Sequence, residues 1–573
     1  MKHTIKTANS ACAALSALLC LAVPPCAGQE QDQLASVATQ ELARSFDKLK
    51  NAENVPLYYL SYEITDTTEY GLSASMGDIS DRDYERHRLV DVDARVGSMQ
   101  MDNTHQLKGG GAGMDFSGGK RYELPLADDA AAIRTQLWLA TDAEYKDAQQ
   151  RYMKVAMNKA VTTDEENPAP DFSAAQPQSY FEDVRLPELD RAGWEEKLRA
   201  LSAECKKYPF IHGSSVNLTV SNIVKTFVSS EGSRIRMAQN FVRLGYNVSS
   251  RADDGMNLYR GEYYDVADPK DLPTVDKVAA DLQKSIGELK ALRDAPLVQP
   301  YSGPVILKNR AAAVFFHEIF GHRVEGHRQK LEREGQTFAK MLGKQVCSPL
   351  VSVYDDPSLP SRNGQFLRGF YRFDDEGVPA QRVDLVKDGI LKGFLLSRSP
   401  LQDFPASNGH GRRSPGRQVV ARQGNLVVEA SKSIPYEKLR EQLIAECKKQ
   451  DKPYGLVFDD ISGGFTMTGR GMPQSFKVVP LLVYRVYADG RPDELVRGVD
   501  IVGTPLTSFT KILAAADDED VFNGSCGAES GWVPVSAMAP SLLIGEMEVE
   551  KTRKTHEKPP LLPSPFHAEG VSK

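Results

Sequence analysis

From Ala311 to His327 the chain reads Ala-Ala-Ala-Val-Phe-Phe-His-Glu-Ile-Phe-Gly-His-Arg-Val-Glu-Gly-His, and this stretch limits the possible folds more than any other. Val314, Phe315, Phe316, Ile319 and Phe320 leave a helix with almost no polar side, so the helix is expected to be buried. Into it the sequence sets His317, His322 and His327, three of the ten histidines, with Glu318 directly after the first. Neutral imidazole is the commonest protein ligand for zinc, and a carboxylate beside a ligand can take a proton from water, so the pattern points to a metallohydrolase. A plainer reading makes these helix histidines that face water or a polar pocket.

The spacing matters. Histidines four apart lie about 40° from each other around an α-helix, whereas His317 and His322, five apart, lie about 140° apart on regular geometry. Both rings reach one ion only if the helix contains a π-type turn or ends between them, and Gly321 eases either course. The preceding Pro304-Val-Ile-Leu307 reads as a short buried strand, and Asn309 is placed to cap the helix.

The N-terminus is basic up to Lys6, apolar from Ala11 to Val23, and ends in Pro-Pro-Cys-Ala-Gly28. The run is short for a bilayer span, and Cys26 and Gly28 suit a signal-peptidase site, so residues 1–28 are expected to be a cleaved secretory signal. The protein is then exported, periplasmic or secreted. Cys20 and Cys26 lack the small residues that precede a lipoprotein cleavage site. A buried N-terminal helix is the alternative, although it would have no polar side.

No other apolar stretch approaches spanning length, so no membrane association is expected after cleavage. The formal charge of −7, made two units more negative by losing Lys2 and Lys6, comes with no basic tract and argues against a nucleic-acid partner. Beyond the signal lie Cys205, Cys347, Cys447 and Cys526, too scattered for a disulfide framework. Cys526 stands apart, in Asn523-Gly-Ser-Cys-Gly-Ala-Glu-Ser-Gly531, where the glycines suggest a tight loop that exposes the sulfur. Cys205 and Cys447 sit in charged, helix-like segments.

Residues 29–299 mix helical periodicity, at 32–49, 127–158, 187–207 and 275–293, with strand-like runs at 57–64, 217–228 and 235–248. Trp138 and Trp194 read as core residues. A polar, proline-bearing stretch at 162–177 reads as a surface loop. From about residue 300 the chain turns mainly β, with Asp388-Gly389 and Asp489-Gly490 as hairpin turns. The fold class expected is α+β: an N-terminal mixed α/β domain at 29–299, then a mainly β C-terminal domain at 300–550 that carries the histidine helix. A Lys/Pro-rich tail at 551–573 reads as disordered.

Several segments together resemble one family: Pro300-Tyr-Ser-Gly-Pro-Val-Ile-Leu307, His317 to Gly326, Asp374-Asp-Glu-Gly377, Asp388-Gly-Ile-Leu-Lys-Gly393, Gly411-Arg-Arg413 and the Cys526 region. In order and approximate spacing they resemble the TldD/PmbA metallopeptidases through residues 300–550. That family has a motif-bearing member and a sister lacking the motif, and this chain is similar to the former. The resemblance implies that His317, His322 and Cys526 bind one Zn2+ per active subunit and that Glu318 is the catalytic glutamate. It also implies a two-subunit assembly whose chamber admits extended chains, either a homodimer or a heterodimer with an inactive PmbA-like paralogue. The signal segment, the tail and His327 depart from the family pattern.

Two histidines and a thiolate leave the fourth tetrahedral position open, as a catalytic site requires. The expected activity is hydrolysis of peptide bonds in peptides or unfolded polypeptides, with Glu318 as general base. Candidate substrate or oxyanion contacts are His327, His410, Arg412 and Arg413. Two rivals remain: a non-catalytic peptide-binding or scaffold subunit whose zinc only joins two lobes, with His327 as fourth ligand, and a thiol enzyme built on Cys526, which lacks a C-x-x-C partner.

Overall fold

The computed structural model describes residues 32–52, 55–107, 120–161, 168–182, 186–331, 334–470, 476–502, 505–552, 560, 562 and 564–567. The expected signal at 1–28, most of the expected tail and the first part of the 162–177 loop lie outside the described residues.

The N-terminal half is built on one long, mostly antiparallel sheet. Its strands Asp78–Val96, Leu57–Ser75, Gly213–Ser229, Arg234–Arg251 and Asn257–Val266 lie side by side in that order, with short strands added at the edges. Alternation along the strands separates two faces. Leu60, Tyr62, Ile64, Leu72, Leu218, Val242 and Leu244 point to the helices Gln33–Leu49, Ala130–Val161, Arg191–Ala203 and Val275–Asp294, which bury them in two apolar clusters. The opposite face carries polar residues such as Glu63, Lys225 and Arg243, and it meets the C-terminal half, where Lys225 pairs with Asp375.

The four expected helices are present within a few residues of their sequence-read limits. The first strand runs far beyond residue 64, to Ser75, because its polar second half pairs on both sides along its length. Trp194 is buried, but Trp138 is 50% exposed on the outer side of its helix, which corrects the reading of both as core. Among the described residues no helix is long and apolar enough to cross a membrane.

The C-terminal half is mainly β, as expected. Five strands, Tyr454–Thr466, Tyr301–Leu307, Leu542–Lys551, Val499–Val502 and Phe476–Tyr487, pair in a closed circuit, the last returning to the first. A second sheet orders Val383–Lys387, Val351–Asp355, Asn425–Ala430, Gly531–Ala539 and Asp520–Ala528, with Ile390–Leu391 beyond the first. Asp388 and Gly389 have φ of 48° and 79°, the left-handed pair that a two-residue Asp-Gly hairpin needs.

The histidine helix, Asn309–Ile319, lies between these two sheets, and every residue from Ala311 to Ile319 is buried. Val305, Phe458 and Ile544 from one sheet and Val353, Leu426 and Ala537 from the other join its phenylalanines in one core. Phe509 packs its ring against Phe315, Phe316 and Phe320 at 5.3, 4.8 and 6.1 Å. Asn309 is not the cap: Lys308 takes that position, and the Asn309 amide donates to the Asp518 carbonyl at 2.9 Å.

Candidate metal centre

The helix ends between the two histidines, the second of the two courses open to it. Its last residue is Ile319, and Gly321–Arg323 forms a 3₁₀ turn that swings His322 back toward His317. The ring centroids lie 5.2 Å apart with planes at 75°. Ending a helix in a dry core strands its last carbonyls, so side chains must satisfy them. The Gln423 amide donates to the His317 carbonyl at 3.3 Å and Arg323 donates to the Ile319 carbonyl at 2.7 Å. Gln423 occupies the space a side chain at 321 would need: a Cβ there would lie 1.9 Å from its Oε1, so only glycine fits.

Cys526 reaches the histidines from the other sheet. It lies on the strand Asp520–Ala528, paired with Val533 of Gly531–Ala539, and is only 6% exposed. The expectation of an exposed glycine loop is therefore corrected: the segment is a hairpin strand whose alternation turns Cys526 inward. Cys526 Sγ lies 3.3 Å from His322 Nε2, and one donor atom each from His317, His322 and Cys526 fall within 4.8 Å of one another. Among the described residues this is the one cluster of at least three such donors with metal-binding spacing.

Burial would raise the Cys526 thiol, but His322, Arg422 and His317 hold it well below its ordinary range, as a thiolate. Burial works against a charged His317, and the neighbouring Cys526 outweighs it and raises that ring. His317 Nδ1 is buried without a hydrogen-bond partner. Two imidazoles and a thiolate, convergent and dry, fit zinc, and three protein ligands leave a fourth position open.

Glu318 stands beside this cluster, its Oε2 3.9 Å from His322 Nε2. Burial pushes its carboxyl above the ordinary range, with His317 and His322 opposing. Glu318 and His317 open onto a cavity of about 1250 Å³, whose wall also includes Arg310 and Val314 of the same helix face. The facing wall is the polar side of the N-terminal sheet, with Arg243, Tyr263 and Asp265, and the outer edge of the Cys526 strand. Arg243 and Asp265 form two hydrogen bonds of 2.7 Å.

The other four candidates do not line this cavity. His327 begins a short helix and pairs through Nε2 with Glu529, at the turn of the Cys526 hairpin. His410 is fully buried between the Asn408 carbonyl, 2.9 Å from Nδ1, and Asp355, 3.3 Å from Nε2. Arg412 donates to the Gln423 and Pro534 carbonyls at 2.8 and 2.6 Å. Arg413 sits between Glu63 and Asp91 at 3.8 and 3.9 Å, against the N-terminal sheet. Both arginines thus answer buried acceptors away from the cavity wall.

Residues 300–551 match the PmbA/TldA metallopeptidase C-terminal domain. A metalloprotease TldD homolog of Haemophilus influenzae is 31% identical over 253 residues, 44% of this chain and 48% of that protein. A metalloprotease of Archaeoglobus fulgidus is 30% identical over 241 residues, 42% of this chain and 51% of that protein. The chain thus spans about half the length of these curated relatives. In fold it resembles the crystal structure of TldE from Thermococcus kodakarensis, with a TM-score of 0.57 and 14% identity over 90% of this chain and 100% of that one. Residues 300–551 thus form a metallopeptidase C-terminal domain of the PmbA/TldA kind.

Proposed function

We propose that this chain is a zinc-dependent metallopeptidase that hydrolyses peptide bonds in extended or unfolded polypeptides. The observation that carries this reading is the convergence of His317, His322 and Cys526 with Glu318 at 3.9 Å from His322, on the wall of a cavity. His317, His322 and Cys526 would hold one zinc ion. A zinc ion held there would supply Lewis acidity toward a water molecule and a peptide carbonyl. Glu318 accepts the proton of the attacking water and passes it to the leaving amine nitrogen, and its burial-raised carboxyl suits that exchange. The cavity, walled by a polar sheet face and a strand edge, suits an extended chain rather than a folded one.

A closed, non-catalytic site would need a fourth protein ligand, and His327, the nearest histidine in sequence, is engaged with Glu529 instead. The reading extends to a two-subunit assembly, a homodimer or a heterodimer with an inactive PmbA-like paralogue, and to export directed by residues 1–28. Metal analysis of the purified chain and cleavage of an unstructured peptide, with Glu318→Gln as control, test the core of it. About one zinc per chain and turnover lost in Glu318→Gln are expected. A chain that binds no zinc, or a Glu318→Gln variant as active as wild type, refutes it.

A further inference from the structure

His322 needs one particular ring nitrogen free for the metal, and a carboxylate that the sequence motif does not single out stands behind it. Glu325, fully buried, has Oε2 3.2 Å from His322 Nδ1. An ionised carboxylate only accepts, so the ring must donate through Nδ1, which leaves Nε2, the nitrogen 3.3 Å from Cys526 Sγ, as the one to face the metal. The backbone around Glu325 is pinned as well, since Gly326 N donates to the Leu395 carbonyl at 2.8 Å.

The same carboxylate gathers two arginines that both reach the thiol hairpin. Arg328 donates through Nε to Glu325 Oε2 at 2.8 Å and through Nη2 to Glu529 Oε2 at 2.9 Å, at the hairpin turn. Arg422, fully buried, has Nε 3.5 Å from Glu325 Oε1. It donates to the Cys526 carbonyl at 2.7 Å and to Ser530 Oγ at 2.8 Å. One buried anion therefore connects a ligand on the histidine segment to a ligand some two hundred residues away, with |i−j| of 204 between His322 and Cys526.

We propose that Glu325 is a positioning residue of the metal centre: it selects the His322 tautomer and, through Arg328 and Arg422, holds the Cys526 hairpin in register with the histidines. Carboxylates in this position behind metal-binding imidazoles typically contribute about 10–100-fold to metal affinity. The inference rests on the zinc-binding part of the proposed function but not on its chemistry.

The test is zinc affinity of the full chain, read by competition with a chromophoric chelator, together with the visible spectrum of the cobalt(II) form. Glu325→Gln keeps the size but removes the charge that the ring and both arginines share. It should bind zinc about 10–100-fold more weakly and shift the cobalt bands at saturating metal. A folded Glu325→Gln protein with wild-type affinity and spectrum, whatever its melting temperature, overturns the proposal. If that variant does not fold, Glu529→Gln, altering a side chain 22% exposed, replaces it. A loss of about tenfold is expected there, and unchanged affinity and spectrum again overturn the proposal. A wild-type chain that binds zinc but cleaves no peptide removes the peptidase reading alone. An active Glu325→Gln enzyme with wild-type affinity removes this inference alone.

Discussion

Adding one methyl group at Gly321 should disturb the metal centre more than its size suggests. Gly321→Ala places a Cβ 1.9 Å from Gln423 Oε1, 2.2 Å from its Cδ and 2.6 Å from its Nε2, so the whole amide must move. Overpacking a closed core costs about 1–3 kcal/mol. Moving Gln423 also breaks its 3.3 Å bond to the His317 carbonyl, and losing such a buried bond costs about 1 kcal/mol. Alanine recovers up to about 1 kcal/mol by restricting the unfolded chain. The net expectation is a destabilisation of about 1–3 kcal/mol.

The assay is a four-protein cycle, wild type, Gly321→Ala, Gln423→Ala and the double variant, followed by chemical denaturation and zinc affinity. If the clash is the cause, the double variant should be no less stable than Gly321→Ala. The two changes would then be non-additive by about 1–3 kcal/mol, as expected of side chains in contact. Zinc affinity should fall in Gly321→Ala and partly return in the double variant, since the turn carries His322. Additive losses within about 0.5 kcal/mol would refute the packing argument.

Glu318→Gln should keep its zinc and fold while losing about 10²–10⁴ of turnover, measured on an unstructured peptide. His317→Ala, His322→Ala and Cys526→Ala should each lose zinc by metal analysis, whereas Cys205→Ala and Cys447→Ala, whose thiols lie in separate apolar clusters, should retain it. His327→Ala should keep zinc occupancy, because its ring pairs with Glu529; zinc loss equal to that of His322→Ala would revive the closed-site reading. Burial and the nearby Asp375 raise the Glu63 carboxyl from 4.5 to about 7, against Lys225 and Arg413. The folded state therefore holds a proton that the unfolded chain releases, and stability from this group falls as pH rises across that window. Glu63→Gln should flatten this part of the stability–pH curve, and an unchanged slope in denaturation at several pH values would contradict the assignment.

Features governed by neighbours in the chain could be read from the sequence alone. The apolar run at 311–320 demanded a buried helix, helical periodicity marked the four N-terminal helices, and Asp388-Gly389 announced its hairpin. The five-residue histidine spacing allowed two backbone solutions but could not choose between them. That choice belongs to Gln423 and Arg323, which answer the carbonyls of an early helix end, and Gln423 comes from a strand region over a hundred residues away.

The same limit explains the misreadings. Glycines around Cys526 suggest a loop, yet pairing with Gly531–Ala539 makes the segment a strand and turns the sulfur inward. Arg412 and Arg413 read in sequence as candidate substrate or oxyanion contacts, but one satisfies buried carbonyls and the other lies between buried carboxylates contributed by distant segments. Glu325, three residues beyond His322, was within reach of a sequence reading. Its partners Arg422 and, through Arg328, Glu529 were not, because no local periodicity encodes which distant charge will share a buried site. Sequence thus determined the segments and the donor types. Tertiary packing alone decided which donors converge and which buried charges hold them there.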